Sequence, residues 1–140
     1  MSRRCLAAVI AVACWLTAAT AQKRSEGPRP DEVKKIAYGH AFDKHVLGEG
    51  NRDGEEFKKG RRIAGKAFPN ESITTREQFA KLLQDIVEKT KSKKPSEKFR
   101  GKFYYWDDRT GTFIVYDPRN RDRGTAFRPF RGKKYYDDQE

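Results

Sequence analysis

One amphipathic stripe, followed by an abrupt change of period, constrains this chain more than any other feature. Phe79, Leu82, Leu83, Ile86 and Val87 recur at i, i+3, i+4, i+7 and i+8, which puts five apolar side chains on one helix face with charged residues opposite. Thr74 and Glu77 form an S/T-x-x-E capping box ahead of them, so a helix is expected over 74–90. The basic stretch Lys89–Lys98 then reads as a connector, with Pro95 where a helix cannot continue. From Lys102 the period shortens. KFYYW (102–106) and TFIVY (112–116) are aromatic and β-branched, and they flank the turn sequence DDRTG, the pattern of a hairpin. A longer turn over 117–124 leads to a third strand, Thr125–Arg128, and Tyr135-Tyr136 suits a short fourth.

An earlier helical pattern starts at Asp31. Val33, Ile36, Ala37, His40, Ala41 and Lys44 share one face, Gly48 suits a stop, and Gly39 is an interruption compatible with two short helices. The Gly- and charge-rich stretch 47–67 reads as a loop without a dinucleotide or Walker fingerprint. Helices first and a three- to four-stranded antiparallel meander afterwards is an α+β layout, here a single domain over 31–140.

The N-terminus has a different character. Arg3 and Arg4 precede an apolar run of 12 residues, Cys5 to Leu16, and Ala19-Thr20-Ala21 places small residues where a signal peptidase cuts. The run falls short of the roughly 20 apolar residues that span a bilayer. A signal peptide over 1–21 cleaved after Ala21, a flexible leader over 22–30, and a secreted or periplasmic mature chain without stable membrane insertion are the expectations. Both cysteines leave with the signal, so neither disulfides nor Cys-ligated zinc support the mature chain. With only two histidines left, no metal cluster and no cofactor are expected. Asn70-Glu71-Ser72 is a glycosylation sequon, meaningful only in a eukaryotic secretory route.

Charge points to the partner. Removing Arg3 and Arg4 lowers the formal net charge of the full chain from +11 to +9, which favours a polyanion. Hydrophobic residues make up only 36%, yet aromatics reach 12%, more than a disordered chain carries. Both histidines lie in Tyr38–His45. On one helix they point about 140° apart, so only one faces a given cleft squarely. His suits proton transfer near neutral pH, and an adjacent Lys suits charge developing on a phosphoryl oxygen. The same spacing also fits two ordinary surface or capping histidines. In Gly124–Pro129, alternation puts Thr125 and Phe127 on one face and Ala126 and Arg128 on the other. A hydroxyl, a flat aromatic and an Arg suit a phosphate and a stacked base, while a β-former and a core Phe fit equally well. Arg119, Arg121 and Arg123 place three arginines in one turn, suited to backbone phosphates or to a solvated face.

Taken together, the GHAFDKHV and TTREQFAKLLQDIVE helices, YYWDDRTGTFIVYDP and GTAFRP resemble the metal-independent RNase toxin domains of the barnase–EndoU–colicin–RelE group. The likeness runs over about residues 36–130 and is nearest to the colicin D-like and contact-dependent-inhibition tRNase domains. It implies that group's α+β RNase fold. Lys44-His45 matches the family's Lys-His element, and Thr125 with Phe127 matches its strand hydroxyl-x-aromatic element, with Thr for Ser and Phe for Trp. The resemblance implies His45 as general acid or base, Lys44 as phosphate stabiliser, Thr125 as the group that positions the scissile phosphate, and Phe127 as an RNA contact. His40, on the apolar face of the first helix, is the secondary candidate. Such domains usually end a very long delivery protein, which a short chain with its own signal does not resemble.

The expectation is therefore an exported endoribonuclease toxin, a hydrolase-class nuclease acting as a monomer on RNA such as tRNA, with a cognate immunity protein as a further partner. It would cleave by 2′-OH attack and leave a 2′,3′-cyclic phosphate. Phe127, Arg128, Arg119, Arg121 and Arg123 are its expected RNA-binding residues. The rival is a secreted, non-catalytic basic module that binds nucleic acid or another polyanion.

Overall fold

The structure is a computed structural model, and it describes residues 27–49, 54–55, 57, 60–63, 65–68 and 72–140. The signal peptide, most of the leader, and Asn70 and Glu71 of the sequon lie outside the described residues. Helix α1 spans Pro30–Tyr38 and α2 spans His40–His45, with Gly39 as the break between them. Pro30 opens α1 where its missing N–H costs nothing, and Glu32 accepts the Arg29 N–H at 3.1 Å. Val33, Ile36 and Ala37 are buried.

Helix α3 spans Arg76–Lys89 and buries Phe79, Leu83 and Ile86 completely, with Leu82 and Val87 half-buried at the margins of the stripe. Its cap sits one residue beyond the expected one. Thr75 Oγ1 accepts the Gln78 N–H at 3.2 Å, and Gln78 Oε1 accepts the Thr75 N–H at 3.1 Å. TTREQ holds two overlapping boxes, and the Glu77 carboxylate is instead taken by the Tyr38 hydroxyl at 2.6 Å.

The strands are β1 (Gly54–Glu55), β2 (Arg61–Ile63), β3 (Lys66–Phe68), β4 (Ser92–Pro95), β5 (Phe103–Asp107), β6 (Thr112–Tyr116) and β7 (Gly124–Pro129), and α4 spans Lys133–Asp137. Five of them form one antiparallel sheet in the order β1-β7-β6-β5-β4, and β2 pairs with β3 in a separate hairpin. The α+β expectation holds, and the hairpin and third strand fall where the pattern put them.

Three expectations are corrected. The stretch 47–67 is not wholly a loop, since β1, β2 and the start of β3 lie in it. The basic connector carries β4, whose Lys93 and Lys94 pair opposite Tyr105 and Tyr104 and whose Pro95 ends it. An edge strand tolerates both lysines and proline, because its outer N–H groups need no ladder partner. Tyr135 and Tyr136 lie in α4 rather than in a strand: β1 takes the outer edge of β7 at Arg128 and Pro129, which leaves the expected strand no place there.

Strands β5 to β7 are apolar at both parities, and both faces of the sheet are covered. Tyr105, Ile114, Tyr116 and Ala126 join the core under α1, α2 and α3. Tyr104, Trp106, Phe113 and Phe127 join a second core with Phe68 of the hairpin and Tyr136 of α4. Gly124 starts β7 at φ +135, where a Cβ would lie 1.8 Å from the Val115 carbonyl oxygen, so only glycine fits the crossing.

Leu83→Ala is expected to cost about 2–5 kcal/mol in chemical denaturation, and Leu82→Ala clearly less, because only Leu83 is enclosed. Burial, then a hydrogen bond to Glu32, pushes the Tyr116 phenol up to about 12. The unfolded chain loses that proton first, so the contribution of Tyr116 to stability is full below about pH 10 and is lost as pH rises toward the native value. Tyr116→Phe should flatten that alkaline decline, as measured by denaturant midpoints across the range.

Candidate functional site

The break at Gly39 is held from two sides by distant residues. An α-helix leaves N–H groups unpaired at its start and carbonyls unpaired at its end. The first N–H of α2, from His40, donates to Asp122 Oδ2 at 3.1 Å across 82 positions of sequence. The last carbonyl of α1, from Tyr38, accepts Arg76 Nη1 from α3 at 2.8 Å. Arg76 also pairs with Asp43 at 2.6 Å and lies over the Phe42 ring. A Cβ on Gly39 would stand 2.6 Å from the Asp122 carboxyl carbon, so the carboxylate reaches the helix only because position 39 has no side chain.

The same carboxylate orients a histidine. His40 Nδ1 lies 2.9 Å from Asp122 Oδ2, and the His40 side chain is 52% exposed. Hydrogen bonds from the His40 ring and then from its backbone hold the Asp122 carboxyl below the usual carboxylate range. A solvent-facing imidazole fixed through its other nitrogen is the arrangement a general base requires. His40 was expected to share the buried face of α1. The break overturns that, making His40 the first residue of a new helix. The partner of His40 that the sequence did not reveal is Asp122; no local pattern ties positions 40 and 122.

His45 is the reverse case. It is 2% exposed, and its ring stacks on Phe127 at 5.2 Å with 24° between planes. The structure thus brings together the helix histidine and the strand aromatic, but as core. Phe127 also meets Phe113 and Tyr135 edge-on at 5.5 and 5.4 Å, leaving no open ring face for a base. Arg128 is fully buried with its guanidinium over the Phe57 ring at 5.0 Å, out of reach of a phosphate on the surface. The RNA-contact role expected of Phe127 and Arg128 is corrected on that ground. Thr125 is half-buried at the start of β7, opposite Val115, and Lys44 is half-buried one helical turn beyond His40.

The three arginines of the 117–123 turn part company. Arg119 forks onto Asp117, Nε to Oδ1 at 2.9 Å and Nη2 to Oδ2 at 2.8 Å, and lies over the Phe99 ring at 4.4 Å. Arg121 is exposed. Arg123, at φ 61, turns inward: its Nη1 donates to the Pro118 carbonyl and its Nε lies 3.7 Å from the buried Glu32. Arg123 therefore ties the turn to α1, with its side chain 30% exposed. A basic cleft of ≈ 390 Å³ lies between the β2–β3 hairpin and α4. Lys66, Arg131, Lys133 and Lys134 line it, each already paired with Asp108, Asp137 or Asp138.

Among the described residues no group of three or more His, Cys, Asp or Glu is placed to hold a metal ion, and no helix is long and apolar enough to cross a membrane. Comparison with protein-family models, curated proteins and solved structures returned no significant match.

The depressed Asp122 carboxyl contributes stability above the ordinary carboxylate value, about 3.9, which is lost as pH falls through the native one. Asp122→Asn should therefore lower stability near neutrality and flatten its acid decline, read from denaturant midpoints between roughly pH 2 and 6. Gly39→Ala should reproduce the loss at neutral pH by displacing the carboxylate.

Proposed function

We propose that this protein is an exported, metal-independent endoribonuclease that cleaves RNA by transesterification. The observation that carries the reading is the half-exposed His40 fixed on Asp122, beside the turn that carries Arg119 and Arg121. His40 Nε2 takes the proton of the ribose 2′-OH, whose oxygen attacks its own phosphorus. Lys44, i+4 from His40, and Arg121 offset the charge that develops on the phosphoryl oxygens. The 5′-oxygen leaves with a proton from solvent, and a 2′,3′-cyclic phosphate remains. Asp122 holds the imidazole tautomer and stabilises the imidazolium that forms. The resemblance to colicin D-like tRNase domains and the +9 charge of the chain without residues 1–21 support RNA as substrate, tRNA within it, and a cognate immunity protein as partner. In this reading His45 is a packing residue, and His40 takes the role the resemblance gave to His45.

A second reading, a non-catalytic polyanion-binding module, draws on one observation: His45 and Phe127, matched to the family's catalytic elements, are both buried.

The purified protein should cleave total tRNA in EDTA and leave cyclic phosphate ends, whereas retention without cleavage identifies the binding module. His40→Ala is expected to slow cleavage by about 10²–10⁴-fold in a chain that still folds and loses only the Asp122 contribution to stability, and His45→Ala to lower the melting temperature by more. A folded, inactive His45→Ala beside a fully active His40→Ala would return the chemistry to His45. Binding should also weaken with salt, log K falling by about 0.7 per phosphate contact for each log unit on single strands.

A further inference from the structure

We propose that the Arg119 guanidinium, stacked on Phe99 and forked onto Asp117, is a platform on which a base of single-stranded RNA stacks next to the His40–Asp122 pair. The inference rests on the ribonuclease reading and adds to it a base-binding subsite and the residues that build it.

Three observations converge. First, the guanidinium is held flat. Two parallel hydrogen bonds to Asp117, at 2.9 and 2.8 Å, fix its plane, and the Phe99 ring lies 4.4 Å behind it. Arginine side chains ordinarily lose much rotamer freedom when a ligand immobilises them, and this one has already lost it. Second, the platform is open. The Arg119 side chain is 53% exposed and Phe99 is 41% exposed, one of few large apolar side chains so exposed among the described residues. A lone exposed phenyl is unremarkable, but a phenyl capped by a fixed guanidinium is a stack that lacks its next layer.

Third, the turn is rigid and the reactive pair belongs to it. The Arg119 N–H donates to Asp117 Oδ1, Asn120 N–H to the Asp117 carbonyl, Asp122 N–H to Asn120 Oδ1, and Arg123 N–H to the Asn120 carbonyl. Asp117 N–H then closes the turn onto the Arg123 carbonyl. Asp122 is three residues from Arg119 in this turn, so a base on the platform lies within a nucleotide or two of the phosphate offered to His40. Lys102, whose Nζ lies 5.2 Å from the centre of the Phe99 ring, adds a cation for the intervening backbone.

The fork onto Asp117 decides between two roles for Arg119. A carboxylate that neutralises the guanidinium and occupies its donors makes Arg119 a poor phosphate clamp. It leaves the π-face free, and bases stack on arginine planes as they do on aromatic rings. Asp117 and Phe99 are positioning residues for that face.

The test measures binding of a fluorescent single-stranded RNA oligonucleotide to the full-length secreted protein in the His40→Ala background, with an abasic oligonucleotide of equal length as the reference polymer. Stacking worth about 1–3 kcal/mol per base corresponds to a loss of roughly 5- to 150-fold in affinity. Arg119→Lys, which keeps the charge, and Phe99→Ala should each show such a loss toward RNA and almost none toward the abasic strand. Phe99→Tyr should restore binding, the salt slope of Arg119→Lys should stay unchanged, and all variants should melt with the parent. RNA binding unaltered by Arg119→Lys, or equal losses on both polymers, overturns the platform and leaves the ribonuclease reading standing. A parent protein that binds neither polymer overturns both.

Discussion

Strands β5, β6 and β7 carry apolar side chains on both of their faces, and that is the constraint from which the rest of the molecule follows. A sheet with one polar face needs cover on one side only. This one would expose Trp106, Phe113 and Phe127 on one side or Tyr105, Ile114 and Ala126 on the other if either were left bare. The chain meets the demand with different elements. Three helices cover one face, and a two-stranded hairpin with the short α4 covers the other. The order of elements along the chain is thus an order of coverage: helices and hairpin come first, the sheet that needs them follows, and α4 closes the second face.

The placement of charge follows from the same packing. His45 and Arg128 sit where α2 packs on β7, and both are enclosed against aromatic rings, Phe127 and Phe57. Burying a guanidinium is costly unless other groups offset the lost hydration, and the ring face of Phe57 contributes to that offset. Glu32 plays a corresponding part under α1, where Arg29, Arg123 and Tyr116 surround its carboxylate. These groups join elements that hydrophobic contact alone would leave free to slide, and they are unavailable to a ligand for that reason. The 117–123 turn and the adjoining helix break keep polar groups at the surface.

That break shows how a local weakness becomes a site. Gly39 permits a change of direction, but glycine does not say what fills the space. Asp122 and Arg76 supply the missing helix-end partners, from 82 and 38 positions away. Because Asp122 has two roles, satisfying the α2 backbone and holding the His40 ring, the geometry of the His40–Asp122 pair is tied to the fold itself. The histidine is rigid because the helix is anchored, and the helix is anchored by the group the histidine needs.

What could be read from the residues and what could not divide along the range of the interactions. The stripe of α3, the β5–β6 hairpin, the start of β7 and the interruption at Gly39 are local patterns of three to eight residues, and each lies within a residue or two of its expected place. Alternation on β7 likewise put Phe127 and Arg128 on opposite faces, as found. The pairing of β4 and β1 with the sheet, the helical state of Tyr135 and Tyr136, and the burial of His45 with the exposure of His40 lay beyond any local pattern. Each depends on an edge already occupied or on a carboxylate arriving from a distant turn. Periodicity says which face a side chain takes on its own element. Whether that face is then covered is settled by residues far away in sequence, and only the packed chain brings them together.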